Sequence, residues 1–191
     1  WIDHWLRALL EPWVYRRVRY IVVPSRGLER ELESLYPFTK GKLVCIPNPV
    51  DSERLCSPGS FDRTLFRAKL GLTADQLALV FVALGHFERK GLPLLFRALA
   101  RIRDAHLRVV VVGGEPDLIA AYREQAHRVG LGDHVLFVGR QSDVRPYLWM
   151  ADGFVLPSVY ETFSLVTFEA AAAGLPLIAT PVYGVEEILH D

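Results

Sequence analysis

The chain has 191 residues, with 22 basic and 22 acidic side chains and a formal net charge of zero. Half of the residues are apolar and about a quarter are charged, which is ordinary for a globular domain and excludes a disordered chain. The longest apolar run, Leu77–Leu84, is far shorter than the ~20 residues of a membrane-spanning helix. The neutral balance leaves no basic footprint for nucleic acid, so we expect no nucleic-acid partner.

The sequence starts at Trp1, and its only methionine is Met150, so we expect an excerpt of a longer product. Cys45 and Cys56 have no metal-ligand or redox spacing, and we interpret them as thiols of a reducing compartment. The first residues lack the layout of a signal peptide. We therefore expect a cytoplasmic protein, or one that is peripheral to the inner face of the membrane.

Residues 1–19 are rich in tryptophan and arginine and have helical spacing. Such a basic aromatic helix could contact a membrane surface. The alternative is a helix that packs on a neighbouring domain. We favour this alternative, because basic amphipathic patterns are common on ordinary surfaces. A strand at Tyr20–Val23, a helix that Ser25 caps and that ends at Pro37, and a strand at Lys42–Ile46 are expected to follow.

A connection with a single short helix, at Asp62–Leu70, is expected over residues 51–75. From Leu77 onward, continuous apolar segments alternate with amphipathic ones, which is typical of a parallel, doubly wound sheet with helices on both faces. Ligands of such sheets bind at the carboxyl ends of strands, near a topological switch point. The predicted strands are Leu77–Leu84, Arg108–Val112, His134–Val138, Gly153–Leu156 and Leu177–Ala179, and the predicted helices are Leu92–Ile102, Asp117–Val129, Val144–Met150, Leu165–Ala173 and Val185–His190.

The loop after the first of these strands, Gly85–Gly91, is bounded by glycines and contains the adjacent cations Arg89 and Lys90. An arginine fork, an ammonium and a helix N-terminus together can hold a diphosphate. The alternative, to which we give equal weight, is a solvated charged turn in which Glu88 pairs with one of its neighbours. The next loop, Gly113–Pro116, lacks a complete dinucleotide fingerprint and is interpreted as a tight turn whose proline opens a helix.

Gly139 and Arg140 follow the third strand, where exposed backbone groups could read the edge of a base. Arg140 could stack on a base, bind phosphate, or be a surface charge. We expect Ser142 to cap the helix that follows.

The fourth loop is the most informative, because Glu161 lies in it and Glu169 lies on the helix that we expect to begin at Ser164. The backbone N–H groups of Phe163–Leu165 would point out of the N-terminus of that helix, towards an anion. Glu169 would lie roughly 7–8 Å along the axis and lean back towards a ribose. The alternative is that Glu161 caps a turn and Glu169 is a surface residue of the helix, but the small residues Ala170–Ala173 favour a buried helix.

These segments together resemble a known family. Glu161 and Glu169 with seven residues between them, followed by Gly174-Leu175-Pro176, resemble the E-x7-E signature of the retaining GT-B glycosyltransferases of the family-4 type. The strand segment before the signature and the segment Ile46–Asp51, which corresponds to an interdomain linker, also resemble the family. Phe87–Gly91 is similar to the loop of the lipopolysaccharide-core glucosyltransferase branch. The match covers residues 20–191.

The resemblance implies a GT-B architecture of two Rossmann-like domains. Residues 1–47 would be the tail of the N-terminal acceptor domain, residues 48–75 a linker, and residues 76–191 a nucleotide-sugar donor domain that is truncated at its C-terminus. We expect this excerpt to bind a donor without turnover.

The resemblance also implies roles for individual residues. The catalytic residues would be Glu161, which holds hydroxyls of the donor sugar near the reacting carbon, and Arg89 and Lys90, which bind the diphosphate. The remaining donor-binding residues would be Gly85, His86, Gly139, Arg140, Thr162, Phe163, Ser164, Leu165 and Glu169. Glu169 would bind the ribose, and Gly139-Arg140 would lie beside the base. His86 departs from the family, many members of which carry arginine there.

The implied reaction moves a sugar from a nucleotide-diphosphate sugar to an acceptor with retention of the anomeric configuration. No Asp-x-Asp motif is present, and fixed cations with a helix dipole can neutralise the departing diphosphate, so we expect no metal or other cofactor. The acceptor would be a glycan, a lipid-linked molecule or a small molecule, with membrane contact through the N-terminal domain. The alternatives are a GT-B-like nucleotide-sugar epimerase and a non-catalytic nucleotide-sugar-binding module.

Overall fold

The computed structural model describes residues 2–102 and 104–189, and only the backbone for residues 2–8. Trp1 and His190, which are the end residues of two predicted helices, therefore lie outside the described residues. The chain forms two compact units. The first contains the described residues up to Pro49, Glu161–Ser164, and those from Pro181 onward, and the second contains Val50–Tyr160 and Leu165–Thr180. The predicted division of the protein into an acceptor and a donor domain stays a prediction.

The first unit is built on a short parallel sheet in which Ile21 pairs with Leu43. Its helix α2 begins as predicted, because Ser25 has an extended backbone and its hydroxyl accepts a hydrogen bond from the N–H of Leu28 at 3.3 Å. The final helix prediction is wrong in type, since Val185–Glu187 forms a single 3-10 turn after Gly184. The elements are α1 (Ile2–Arg17), β1 (Ile21–Val23), α2 (Arg26–Leu35), a 3-10 turn (Pro37–Thr39), β2 (Leu43–Cys45) and the 3-10 turn at Val185–Glu187.

The second unit is the predicted parallel α/β fold. Its sheet has the strand order β5-β4-β3-β6-β7, and every pairing is parallel. The elements are α3 (Ser52–Leu55), α4 (Arg63–Lys69), β3 (Leu77–Val82), α5 (Leu92–Ile102), β4 (Leu107–Val112), α6 (Pro116–Arg128), β5 (Val135–Gly139), α7 (Arg145–Met150), β6 (Gly153–Leu156), α8 (Leu165–Ala172) and β7 (Leu177–Ala179).

The three central strands, β3, β4 and β6, are buried on both faces over most of their length, as their continuous hydrophobic sequences predict. Val80, Val110 and Phe154, at the centres of β3, β4 and β6, are fully buried. Helix α5 buries Leu92, Leu95, Phe96 and Leu99 in the same core, and this spacing is that of one face of an α-helix.

A buried arginine joins the helix α4 to the start of β6. Arg67 is 5% exposed and donates hydrogen bonds to the carbonyl of Met150 and to a carboxylate oxygen of Asp152, at 3.1 and 3.0 Å. Burial alone would raise the pKa of Asp152. Hydrogen bonds from the N–H of Ala78 and from Arg67 and Arg63 outweigh it and hold that pKa below its usual range.

Two local predictions are wrong. The connection over residues 51–75 contains two helices rather than one, because the carboxylate of Asp51 also caps a helix and accepts from the N–H of Arg54. Ser142 does not cap α7. That helix begins at Arg145, and the backbone N–H of Arg145 donates a hydrogen bond to the carboxylate of Asp143 at 3.0 Å.

Candidate functional site

The sheet order places a topological switch point between β3 and β6. The chain leaves β3 towards β4 and β5 on one side of the sheet and returns to β6 and β7 on the other. In open α/β sheets, ligands bind beyond the carboxyl ends of the strands at such a point. The loops that follow β3 and β6 are the predicted loop Gly85–Gly91 and the segment that leads to Glu161.

The loop after β3 is held by its own side chains. Phe87 is 1% exposed, and the Glu88 carboxylate accepts a hydrogen bond from the hydroxyl of Tyr122 at 3.1 Å. Glu88 therefore contacts α6, and no ion pair joins it to Arg89 in the described part of the chain. Arg89 is exposed, and its guanidinium has no hydrogen-bond or ion-pair partner in the described part of the chain. The side chain can bind an anion without first breaking a contact within the protein.

Two predicted site residues have left-handed backbones. His86 has φ +54° and Ser164 has φ +57°, and they are the only described non-glycine residues with positive φ. This conformation costs a residue with a Cβ roughly 1–3 kcal/mol, and such residues concentrate at binding and catalytic sites. Both residues follow β-strands of the same sheet, which supports a functional rather than a purely structural role for these loops.

The loops after β3 and β6 meet through their backbones. The N–H of Val159 donates to the carbonyl of Arg89 at 2.9 Å. Gly91, with φ +81°, lies so close to Pro157 that a Cβ would overlap the proline carbonyl. The hydroxyl of Thr180, after β7, donates to the carbonyl of Ser158. The loops beyond the carboxyl ends of β3, β6 and β7 are therefore held together by close contacts that involve their backbones.

The loops after β4 and β5 also touch. The N–H of Gly113 donates to the carbonyl of Gly139 at 2.7 Å, and both glycines have positive φ. Pro116 opens α6 as predicted. Arg140 forms a 3.4 Å ion pair with Glu115, but both side chains are about two-thirds exposed, and such a pair contributes little. Arg140 thus remains available to a ligand.

Glu169 lies on α8 of the second unit, and its carboxyl group is half-buried. Burial raises its pKa above the ordinary value. No described residue donates a hydrogen bond to it. A carboxylate without a donor in a partly dry environment favours a ligand with hydroxyl groups. Helix α8 begins at Leu165, directly after the left-handed Ser164.

The other predicted residues of this loop belong to the first unit. Glu161 is half-buried, Thr162 is exposed, and Phe163 and Ser164 are buried. The hydroxyl of Ser25 donates to the carbonyl of Thr162 at 2.7 Å, so the turn is attached to the N-terminus of α2. The predicted site residues are therefore divided between the two units: this turn lies in the first, and the rest in the second.

Replacing Ser25 with alanine should lower the free energy of unfolding by about 2–3 kcal/mol. The fully buried hydroxyl both caps α2 and donates to the part-buried Thr162 carbonyl, so its removal costs a cap and takes a donor from that carbonyl. Asp62→Ala is the matched control, because Asp62 caps α4 through the N–H of Leu65 and makes no second contact of this kind. It should cost about 1 kcal/mol. Equal losses in urea titrations of the two variants would contradict the role of Ser25 in holding the turn.

Replacing Glu169 with glutamine should stabilise the unliganded protein at pH 7. The raised pKa means that the unfolded chain loses this proton at a lower pH than the folded chain, so ionisation favours unfolding. The gain should be below about 1 kcal/mol, since water screens a half-buried group. It should be absent near pH 4, where the carboxyl is largely protonated in both states.

Urea titrations at pH 4 and pH 7 measure this difference, with Glu124→Gln as the control on an exposed face of α6. A gain of the same size at both pH values would show that the glutamine acts through packing and not through charge. If Glu169 binds a ribose, as the family resemblance implies, the same substitution should also weaken nucleotide binding, because an amide offers one acceptor oxygen in place of two.

Neither a membrane span nor a metal cluster is evident in the part of the chain that the structure describes. None of its helices combines the length and the apolar character needed to cross a bilayer. Its histidine, cysteine and acidic side chains nowhere gather in threes around a common point. The two cysteines are free thiols, as the sequence predicts.

The fold defines a class: a doubly wound α/β domain with a parallel sheet and a topological switch point between β3 and β6. Comparison with known proteins gives the family. The sequence profile of the family described as "Glycosyl transferases group 1" matches residues 78–191, and that of "Glycosyltransferase Family 4" matches residues 1–54. The chain belongs to the group 1 glycosyltransferases, which confirms the resemblance.

Two curated relatives and one solved structure illustrate the similarity. The D-inositol 3-phosphate glycosyltransferase of Xylanimonas cellulosilytica is 32% identical, over 90% of this chain and 42% of that protein. The lipopolysaccharide core biosynthesis glycosyltransferase LpsE of Rhizobium meliloti is 36% identical, over 65% of this chain and 36% of that protein. The chain spans less than half of the length of these relatives. HepE of Anabaena, in complex with UDP and glucose, superposes with a TM-score of 0.84 at 23% identity, over 97% of this chain and 50% of that one, and supports the GT-B fold.

Sequence reasoning missed three contributors to the site. Tyr122 was hidden in an ordinary amphipathic helix, and no local motif marks its contact with Glu88. Ser25 was predicted as a cap, but its bond to Thr162 joins residues 137 positions apart. The third contributor is Gly91, at the end of the Arg89 loop. The sequence offered a clue to its role, because a glycine just before a helix can mark a close approach of two backbone segments.

Proposed function

We propose that the protein transfers a sugar from a nucleotide-diphosphate sugar to an acceptor, with retention of the anomeric configuration and without a metal. The observation that carries the proposal is the state of Arg89. Its loop is fixed at the switch point by a buried aromatic ring and a carboxylate contact, while its guanidinium has no partner among the described residues. Membership of the group 1 glycosyltransferases supports a nucleotide-sugar donor.

The roles of the individual residues follow the family resemblance. Arg89 and Lys90 bind the diphosphate and neutralise the negative charge that grows on it as the glycosidic bond breaks, which lowers the barrier to departure. The N-terminus of α8 adds its dipole to the same task. Glu161 accepts hydrogen bonds from hydroxyls of the donor sugar, and Glu169 from the ribose.

The other donor-binding positions complete the proposal. Gly85 and His86 shape the diphosphate loop, and Gly139 and Arg140 lie beside the base. The turn and helix start at Thr162, Phe163, Ser164 and Leu165 cradle the distal phosphate and the sugar. Residues 1–47 are assigned to an acceptor domain, residues 48–75 to a linker and residues 76–191 to the donor domain. Nucleotide-sugar chemistry and free thiols favour a cytoplasmic protein.

Titration calorimetry of the full-length protein with UDP, ADP and GDP tests the donor site. We expect one of these nucleotides to bind, and the matching nucleotide sugars then form the donor screen. The anomeric configuration of the product, from its NMR coupling constants, tests retention, and activity in EDTA tests metal independence.

The alternatives give different outcomes. Consumption of the nucleotide sugar without any acceptor would favour an epimerase. Tight binding without turnover on any acceptor would favour a non-catalytic binding module. Failure of the folded protein to bind any nucleoside diphosphate would refute the proposed donor site.

A further inference from the structure

The Arg89 loop is attached to helix α6 by an aromatic contact. The ring of Phe87 packs edge-on against that of Tyr122, with centroids 5.2 Å apart and an interplanar angle of 87°. It also packs against Phe81 of β3 at 6.1 Å. A side chain at Gly114 would overlap the Phe87 ring, so the start of α6 closes tightly over it. The residue before Glu88 is thus fixed relative to Tyr122.

This packing brings the Glu88 carboxylate to the hydroxyl of Tyr122, which donates a hydrogen bond to it at 3.1 Å. Burial, and then the bond to Glu88, raise the pKa of Tyr122 to about 12. The phenol therefore keeps its proton at neutral pH and remains a donor. No described group forms an ion pair with Glu88, whose side-chain partner is the Tyr122 hydroxyl.

The contact has an electrostatic consequence for the next residue. A glutamate beside an exposed arginine in a flexible turn would pair with it part of the time and reduce its attraction for an anion. Here the carboxylate is bound to Tyr122, and the Arg89 guanidinium has no internal partner. The net charge of the loop is unchanged, but its negative member is held against α6.

We propose that Tyr122 is a positioning residue of the donor site: its hydroxyl holds Glu88 on α6 and so keeps Arg89 available to the diphosphate of the donor. This inference rests on the proposed function, because it assumes that Arg89 binds that diphosphate. Tyr122 does not touch the substrate in this account and acts only through Glu88.

A double-mutant cycle tests this role in the full-length protein, with UDP, ADP or GDP, whichever binds, as the calorimetric probe. Tyr122→Phe should weaken binding about three- to five-fold, the range of a single exposed ion pair that forms in competition with the ligand. Glu88→Gln should change affinity by less than about two-fold, because its charge is already held away from Arg89. The double variant should bind like Glu88→Gln, since no carboxylate remains to compete.

Thermal unfolding separates this role from simple packing. Tyr122→Phe and the double variant should both lose the hydrogen bond and both unfold at a lower temperature than the unmutated protein, although only the first loses affinity. Tyr147→Phe is the matched control, since it removes the hydroxyl of a buried tyrosine on α7 and should leave nucleotide affinity unchanged.

The outcomes are distinct. Unchanged affinity in Tyr122→Phe, or a double variant as weak as Tyr122→Phe alone, would overturn the positioning role while the donor site stands. If Tyr122→Phe does not fold, Glu88→Gln decides alone: an affinity gain above about five-fold would mean that Glu88 already competes for Arg89, and would overturn the inference. An unmutated protein that binds none of the three nucleotides would refute the proposed function itself.

Discussion

Replacing Arg89 and Lys90 together with alanine is expected to lower kcat/KM for the nucleotide-sugar donor about 10³-fold. Each cation is assigned about 2 kcal/mol of stabilisation of the departing diphosphate, which is less than the ~3 kcal/mol lost with a single preorganised donor at a developing charge. Initial rates under donor-limiting conditions measure the change. Arg89→Lys should restore only part of the loss, since an ammonium cannot form the two parallel hydrogen bonds of a guanidinium.

The control must remove the same charge. Arg97→Ala with Arg101→Ala does so on α5, where both side chains are exposed and lie away from the Arg89 loop in sequence. That pair should change kcat/KM by less than about three-fold, the effect of long-range charge under physiological screening. A similar loss in both double variants would mean that net charge, rather than specific contact, attracts the donor.

Much of the fold was predictable because its signals are local. Helix α5, with a period of 3.6 in its leucines, was predicted with both ends correct, and so were the strands β6 and β7. One of the errors lies where two neighbouring residues that can cap a helix compete for one role. Asp143 rather than Ser142 satisfies the start of α7, because the helix starts two residues after the aspartate.

The residues of the candidate site stay a prediction from the sequence, and the contacts that support them could not be predicted from it. Arg89 and Glu169 lie in segments that can be recognised in the sequence, because glycines or the predicted start of a helix border them. That Arg89 lacks a partner depends instead on Tyr122, which lies 34 residues from the glutamate that it binds. Contacts at such separations arise only when α6 packs on the sheet, so no local pattern predicts them.

Replacing Gly91 with alanine is expected to lower the free energy of unfolding by about 3–5 kcal/mol. Two costs combine at this position. A φ of +81° disfavours any residue with a Cβ by roughly 1 kcal/mol, and the Cβ would overlap the carbonyl of Pro157. The loops after β3 and β6 would have to separate and lose the hydrogen bond from Val159 to Arg89. Urea titration measures the loss.

Gly174→Ala isolates the steric cost. Gly174 has the same φ of +81°, but an added Cβ would meet no other atom within 4 Å. It should cost only about 1 kcal/mol, so the difference between the two variants measures what the close approach of the loops requires. Equal losses would show that the loops can accommodate a methyl group, and that the close contact at Gly91 does not fix the positions of the two loops.

The same pair of variants links this backbone contact to the site. Because Arg89 lies two residues before Gly91 and its own carbonyl accepts the bond from Val159, separating the loops moves the guanidinium with its backbone. Nucleoside diphosphate affinity should therefore fall about ten-fold or more in Gly91→Ala, since misplacing a charged group by about 1 Å is costly at a preorganised site. Affinity should be unchanged in Gly174→Ala. Both affinities are measured without urea, at a temperature at which both variants are folded. Equal affinities of the two variants would place the diphosphate away from the Arg89 loop.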